Sequence, residues 1–97
     1  MSNAVFATIR VKPEHMDAAC AAVGAIVIPI RGDDGCVVFE PGRAAGGSAT
    51  MMIFEEWADR AAFDLHHSQD DTKHVFARYE DWLRRAPELV EAEPLKG

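Results

Sequence analysis

TMMIFEEWADRAAFDLHHS, residues 50–68, changes its period in mid-course, and that change decides the fold. Up to Trp57 the period is two. Ile53, Glu55 and Trp57 fall on one face of a strand, and Phe54 and Glu56 on the other. After Asp59, a good N-cap residue, the spacing becomes helical, with Ala62, Phe63 and His66 on one stripe. A strand therefore runs almost directly into a helix. The reading requires Trp57 and an imidazole to share a hollow beneath the sheet. Adjacent helical residues point about 100° apart, so only one of His66 and His67 faces squarely inward. His66, three residues after Phe63 and four after Ala62, is expected to do so, and His67 to be solvated.

Working outward, residues 4–11 alternate as a first strand, with Val5, Ala7, Ile9 and Val11 on one face. Pro13 and Glu14 then suit a helix start, and Met16, Ala19, Cys20, Val23 and Val27 trace a helical stripe over 14–28. Pro29 is expected to end it. RGDDGC supplies turn residues before a short second strand, 37–40, and PGRAAGGSA reads as a hairpin loop. A further helix, 72–85, carries Val75, Phe76, Tyr79, Trp82 and Leu83 inward, and ELVEAEPL is expected to hold a last strand. The order is β-α-β-β-α-β: an α+β, ferredoxin-like fold with an antiparallel sheet, in one domain spanning 1–97.

Helices cover only one face of such a sheet. Yet Phe6 follows Val5, Val38 follows Val37 and Phe54 follows Ile53, so both faces are apolar. Strands apolar on both sides imply cover on both sides. The expected cover is a second copy of the chain, giving a sheet-to-sheet homodimer.

The 97 residues leave no room for two independent cores, and a 48% apolar fraction excludes disorder as the bulk state. A net charge of −6 with scattered basic residues argues against nucleic acid or an anionic membrane as partner. No apolar run approaches the ~18 residues of a membrane span. The start, MSNAVFATIRV, lacks the basic-then-apolar pattern of a signal peptide, so a cytoplasmic location is expected. Cys20 and Cys36 read as a pair of buried free thiols.

The stretch FEEWADRAAFDLHHS is similar to the E-x-W-x-[DS]-x-x-A-[LF]-x-x-H pattern of the antibiotic biosynthesis monooxygenase superfamily. VKPEHMDA and GCVVFE resemble that family's first-helix start and second strand, so the likeness spans nearly the whole chain. It implies a small dimeric α/β barrel that oxidises phenolic or quinol-like aromatics with O2, using no metal, flavin or other cofactor. In that chemistry a deprotonated aromatic itself reduces dioxygen, and the protein binds, orients and removes a proton. On the matched positions His66 is the candidate base, since imidazole titrates near neutrality. Glu55, Trp57, Phe63, Phe76 and Tyr79 are the expected substrate-binding residues around an apolar cleft. Haem-degrading relatives use a histidine near the position of His74, but also a strand-one asparagine and a helix-two tryptophan. Here Asn3 lies ahead of the strand body and the helix has no tryptophan, so haem is not expected. His66 and His74 have no third ligand at metal spacing, so no metal is expected either. Arg31 and Arg43 stand as loop charges or as partners for an anionic ligand group. Two other classes remain beside the oxygenase: a non-catalytic or stress-related ligand-binding barrel, and a cofactor-free polyketide isomerase or cyclase.

Overall fold

Hydrophobic alternation in four strands and three amphipathic stripes resolve, in the computed structural model, into a sheet backed by helices. The structure describes residues 2–95. The elements are β1 (Asn3–Arg10), a 3-10 turn (Pro13–His15), α1 (Met16–Arg31), β2 (Cys36–Arg43), β3 (Thr50–Trp57), α2 (Arg60–Ser68), α3 (Asp70–Trp82) and β4 (Glu88–Ala92). The sheet order is β2-β3-β1-β4, with every pairing antiparallel. The fold is α+β and ferredoxin-like, as expected. No helix among the described residues is long and apolar enough to cross a membrane.

The inner face carries Val5, Ala7 and Ile9 of β1, Phe39 of β2, and Met51, Ile53 and Trp57 of β3. Against it lie Ala19, Val23 and Ile30 of α1 and Val75, Tyr79 and Trp82 of α3. Ala19, fully buried on α1, keeps that helix close to the strands. Asp59 caps α2 as expected, its carboxylate accepting from the Ala62 N–H at 2.8 Å. The outer face is different in kind. Phe6 pairs with Phe54 on β3 and Val90 on β4, and Phe6, Met52 and Val90 are each about half exposed, at 52%, 51% and 52%.

Several boundaries differ from the sequence reading: the helix expected over 72–85 is α3, Asp70–Trp82, which leaves Leu83 outside it, and two further differences have a clear physical cause. Pro29 does not end α1, which continues to Arg31. The ring removes one helical N–H, but Ile30 is buried to 1% exposure in the core, and its burial holds the last turn on. The second strand is also longer than 37–40. Pro41, Gly42 and Arg43 pair with Ile53, Met52 and Met51, so only the later part of PGRAAGGSA forms the loop. β2 is an edge strand, where a residue without an N–H is tolerated.

The turn into β2 depends on Gly35. Its φ is +82°, and a Cβ built there would stand 2.5 Å from the Ala62 Cβ. Its carbonyl accepts the Ala58 N–H at 2.7 Å, tying this turn to the start of α2. Gly35→Ala therefore combines left-handed strain with a backbone-to-helix clash, and should lower stability by about 2–4 kcal/mol. Gly24→Ala is the matched control: nothing lies within 4 Å of its Cβ position, so the helix should gain about 0.5–1 kcal/mol. Urea unfolding of both variants checks the contrast, and equal effects would remove the assigned role of Gly35.

Candidate functional site

Glu55 is the residue around which the site is built. Strand alternation places it between Ile53 and Trp57 on the inner face, so its carboxyl is carried into the core at 4% exposure. The Trp57 indole N–H donates to its Oε1 at 3.0 Å. α2, which begins three residues after Trp57, delivers His66 onto the same group at 4% exposure. The imidazole stacks on Trp57, with centroids 4.6 Å apart and planes 23° from parallel. Its Nε2 lies 3.8 Å from Glu55 Oε1, and its Nδ1 lies 3.5 Å from the Thr72 hydroxyl and 4.0 Å from Asp33 Oδ2.

The expected hollow between Trp57 and His66 does not exist, because the two rings touch. The cleft opens beyond His66 instead. It runs between the sheet, α1 and α3, and its polar lining is Glu55, His66, His67, Thr72 and Tyr79. The remaining walls are apolar, including Phe39, Ile53 and Val75. Its free volume is about 30 Å3, room for one or two waters. A ring system enters only if the mouth opens. Phe76 and Leu89, at 37% and 41% exposure, are the large lining side chains exposed at that mouth.

Of the expected site residues, Glu55, His66, Phe76 and Tyr79 line this cleft. Trp57, fully buried, and Phe63, at 7% exposure, stand one layer behind it and hold the histidines. His67 is not solvated. It is half-buried, with its ring against Phe63 at 4.5 Å and Phe76 at 5.4 Å. The reason is that α2 is covered on two sides, by the sheet and by α3. A residue 100° off the sheet-facing direction then meets α3 rather than water. Sequence reasoning also missed Thr72 and Asp33. Thr72 starts a helical stripe and Asp33 sits in a turn, and neither carries a local signal of proximity to α2. Arg31 donates to the Phe39 carbonyl and pairs with Glu40, and Arg43 pairs with Asp17 at 2.8 Å; they are not loop residues but the last residues of α1 and β2, and both are engaged within the protein.

Burial governs the ionisation of the site. It pushes the Glu55 carboxyl up to about 7, against a downward pull from the Trp57 hydrogen bond. It pushes His66 down to about 4, helped by the neighbouring His67. It raises the Tyr79 hydroxyl to about 12, with a further push from Glu55. The resting proton therefore belongs to Glu55.

This predicts a pH signature in stability. In the unfolded chain Glu55 titrates near 4.5, and in the folded chain near 7. Folding holds this proton more tightly, so the penalty for burying Glu55 builds as pH rises from 4.5 through 7. His66 has the opposite sign: its penalty builds as pH falls from 6.5 through 4. Glu55→Gln should therefore gain about 2–3 kcal/mol over the wild type between pH 5 and pH 8. Urea midpoints at the two pH values measure it, and a pH-independent difference would show that Glu55 titrates elsewhere.

Residues 3–78 match the model of the antibiotic biosynthesis monooxygenase family. A Mycobacterium tuberculosis protein named "Putative monooxygenase Rv0793" is 27% identical over 92 residues, covering 95% of this chain and 90% of that protein. The solved structure of Rv0793 superposes with a TM-score of 0.93 at 26% identity, covering 100% of this chain and 98% of that one. PA3566 of Pseudomonas aeruginosa shares the fold at a TM-score of 0.91 and 23% identity, over 98% of this chain and 95% of its own. Strand-to-helix motif, sheet order and near full-length superposition agree. The chain belongs to the antibiotic biosynthesis monooxygenase family.

Proposed function

We propose that the protein is a cofactor-independent oxygenase of phenolic or quinol-like aromatics, and that the Glu55–His66 pair removes the substrate proton. The observation that carries this reading is the pair itself: two titratable groups 3.8 Å apart, buried in an otherwise apolar cleft. Perturbed acid–base groups in a cleft are where proton transfer is arranged. Ionised Glu55 draws the proton toward neutral His66 Nε2 and stabilises the imidazolium that forms. The resulting electron-rich aromatic passes electrons to O2. One oxygen atom bonds to the ring carbon as a hydroperoxide, and its loss of water leaves a carbonyl. The substrate supplies the electrons, so the balance needs no external reductant. Tyr79, protonated to about 12, serves as a neutral donor to a substrate oxygen. Trp57 and Phe63 act from behind, by fixing the two histidine rings.

A second reading draws support from the same pair. A carboxyl beside an imidazole also suits proton shuffling without oxygen, as in a cofactor-free isomerase or cyclase. Oxygen-electrode assays on an anthrone and naphthoquinol panel with metal-stripped protein separate the two. The oxygenase reading expects O2 uptake matched to product, and no product under nitrogen; product without oxygen transfers the assignment to isomerisation. His66→Ala should lower turnover about 10²-fold or more. Turnover should also fall as pH drops through about 7, following Glu55, and Glu55→Gln should abolish that limb. The groups facing Glu55 are His66 from α2, Tyr79 from α3 and Cys36 from β2. Full turnover by a folded His66→Ala protein would remove this histidine from the mechanism.

The outer face of the sheet, with Phe6, Phe54, Met52 and Val90, fits a second copy of the chain packed sheet to sheet. That arrangement covers the far side of the sheet and leaves the cleft mouth free. Light scattering at micromolar concentration should give the mass of a dimer, and Phe6→Glu that of a monomer. A monomeric wild type would sink the arrangement.

A further inference from the structure

The Glu55–His66 pair and Thr72 account for most of the polar lining, but one buried atom of the cleft has no role. His67 Nε2 is fully buried and has no hydrogen-bond partner, and it is the sole such side-chain nitrogen or oxygen among the described residues. An orphaned buried polar group costs about 1–3 kcal/mol, so its persistence calls for a partner that is absent from the protein itself. The ring lines the cleft, packed edge-on against Phe63 at 4.5 Å, Phe76 at 5.4 Å and His66 at 4.9 Å. Its Nε2 is enclosed while the mouth is shut, and displacement of Phe76 on guest entry would uncover it.

We propose that His67 is the residue that selects and orients the ligand, its Nε2 forming the hydrogen bond to a single ring oxygen of an aromatic guest. The assignment rests on the small-molecule reading above and adds to it which group on the ligand is recognised. Burial lowers the affinity of His67 for a proton, which keeps the ring neutral. A neutral imidazole offers one donor and one acceptor, so by choice of tautomer Nε2 accepts from a phenol or donates to a carbonyl. An arylcarboxylate fits poorly, because the cleft holds no arginine or lysine and already contains Glu55. The expected guest is a neutral, oxygen-bearing aromatic. His67 is a binding residue here; the proton is removed at Glu55 and His66.

The test uses two probes of similar size, 1-naphthol and naphthalene, measured by equilibrium dialysis at pH 7. The wild type should prefer 1-naphthol by about tenfold, the scale of one net hydrogen bond. His67→Phe keeps the ring shape and should lose that preference while still binding naphthalene. His67→Gln, which restores a polar tip, should recover part of it. In the wild type, the His67 15N resonance should shift on adding 1-naphthol and not on adding naphthalene, with exposed His74 as the internal reference. An unchanged hydroxyl preference in His67→Phe, or an unmoved His67 resonance at saturation, overturns the assignment. If neither probe binds the wild type, the cleft reading falls and this inference with it. Binding with full His67 dependence but no oxygen uptake would instead leave the inference standing and remove the oxygenase.

Discussion

A carboxyl in the middle of an apolar sheet face is the constraint to which the rest of this molecule answers. Glu55 sits where period two calls for another Ile or Val, and one indole N–H is the hydrogen bond it receives. An aliphatic side chain there would pack with less penalty, so the local choice conflicts with folding. Conflicts of that kind concentrate where chemistry is performed. Trp57 is placed two residues along the same strand, close enough to donate to Glu55 and broad enough to carry His66 on its face.

Two distant segments converge to hold that arrangement, α3 and the turn before β2. Gly35 admits the first turn of α2 against the turn before β2, because a Cβ there would strike Ala62. The same turn brings Asp33 to within 4.0 Å of His66. α3 closes over α2 and contributes Thr72, Val75 and Phe76. At the other end of α3, Arg84 donates to the carbonyls of Val11 and Ala49, so the helix is moored to the strand ends beneath it. The cleft is thus a product of tight packing with a little space left over, about 30 Å3. Guest binding has to be coupled to movement at its mouth, where Phe76 and Leu89 retain solvent exposure. The sheet's two faces divide the labour: the inner one forms the site, and the outer one presents a bare aromatic patch around Phe6.

Period and punctuation in the chain by themselves determined the strand-to-helix corner at Trp57–Asp59, the third strand at 50–57, the helical cap at Asp59 and the ferredoxin-like order of elements. Each of these rests on contacts within a few residues, or on alternation that any one-sided sheet must obey. They also sufficed to place Glu55 and His66 inward on their own elements. Tertiary structure decided what local spacing does not encode. It kept Pro29 inside α1 by burying Ile30, drew Pro41 into an edge strand, and stacked Trp57 on His66 where a hollow was expected. It also turned His67 from a solvent-facing residue into a cleft residue, since burial on a helix depends on how many neighbours surround it. A sequence states which way a side chain leaves its own backbone; what meets it there is set by segments tens of residues away.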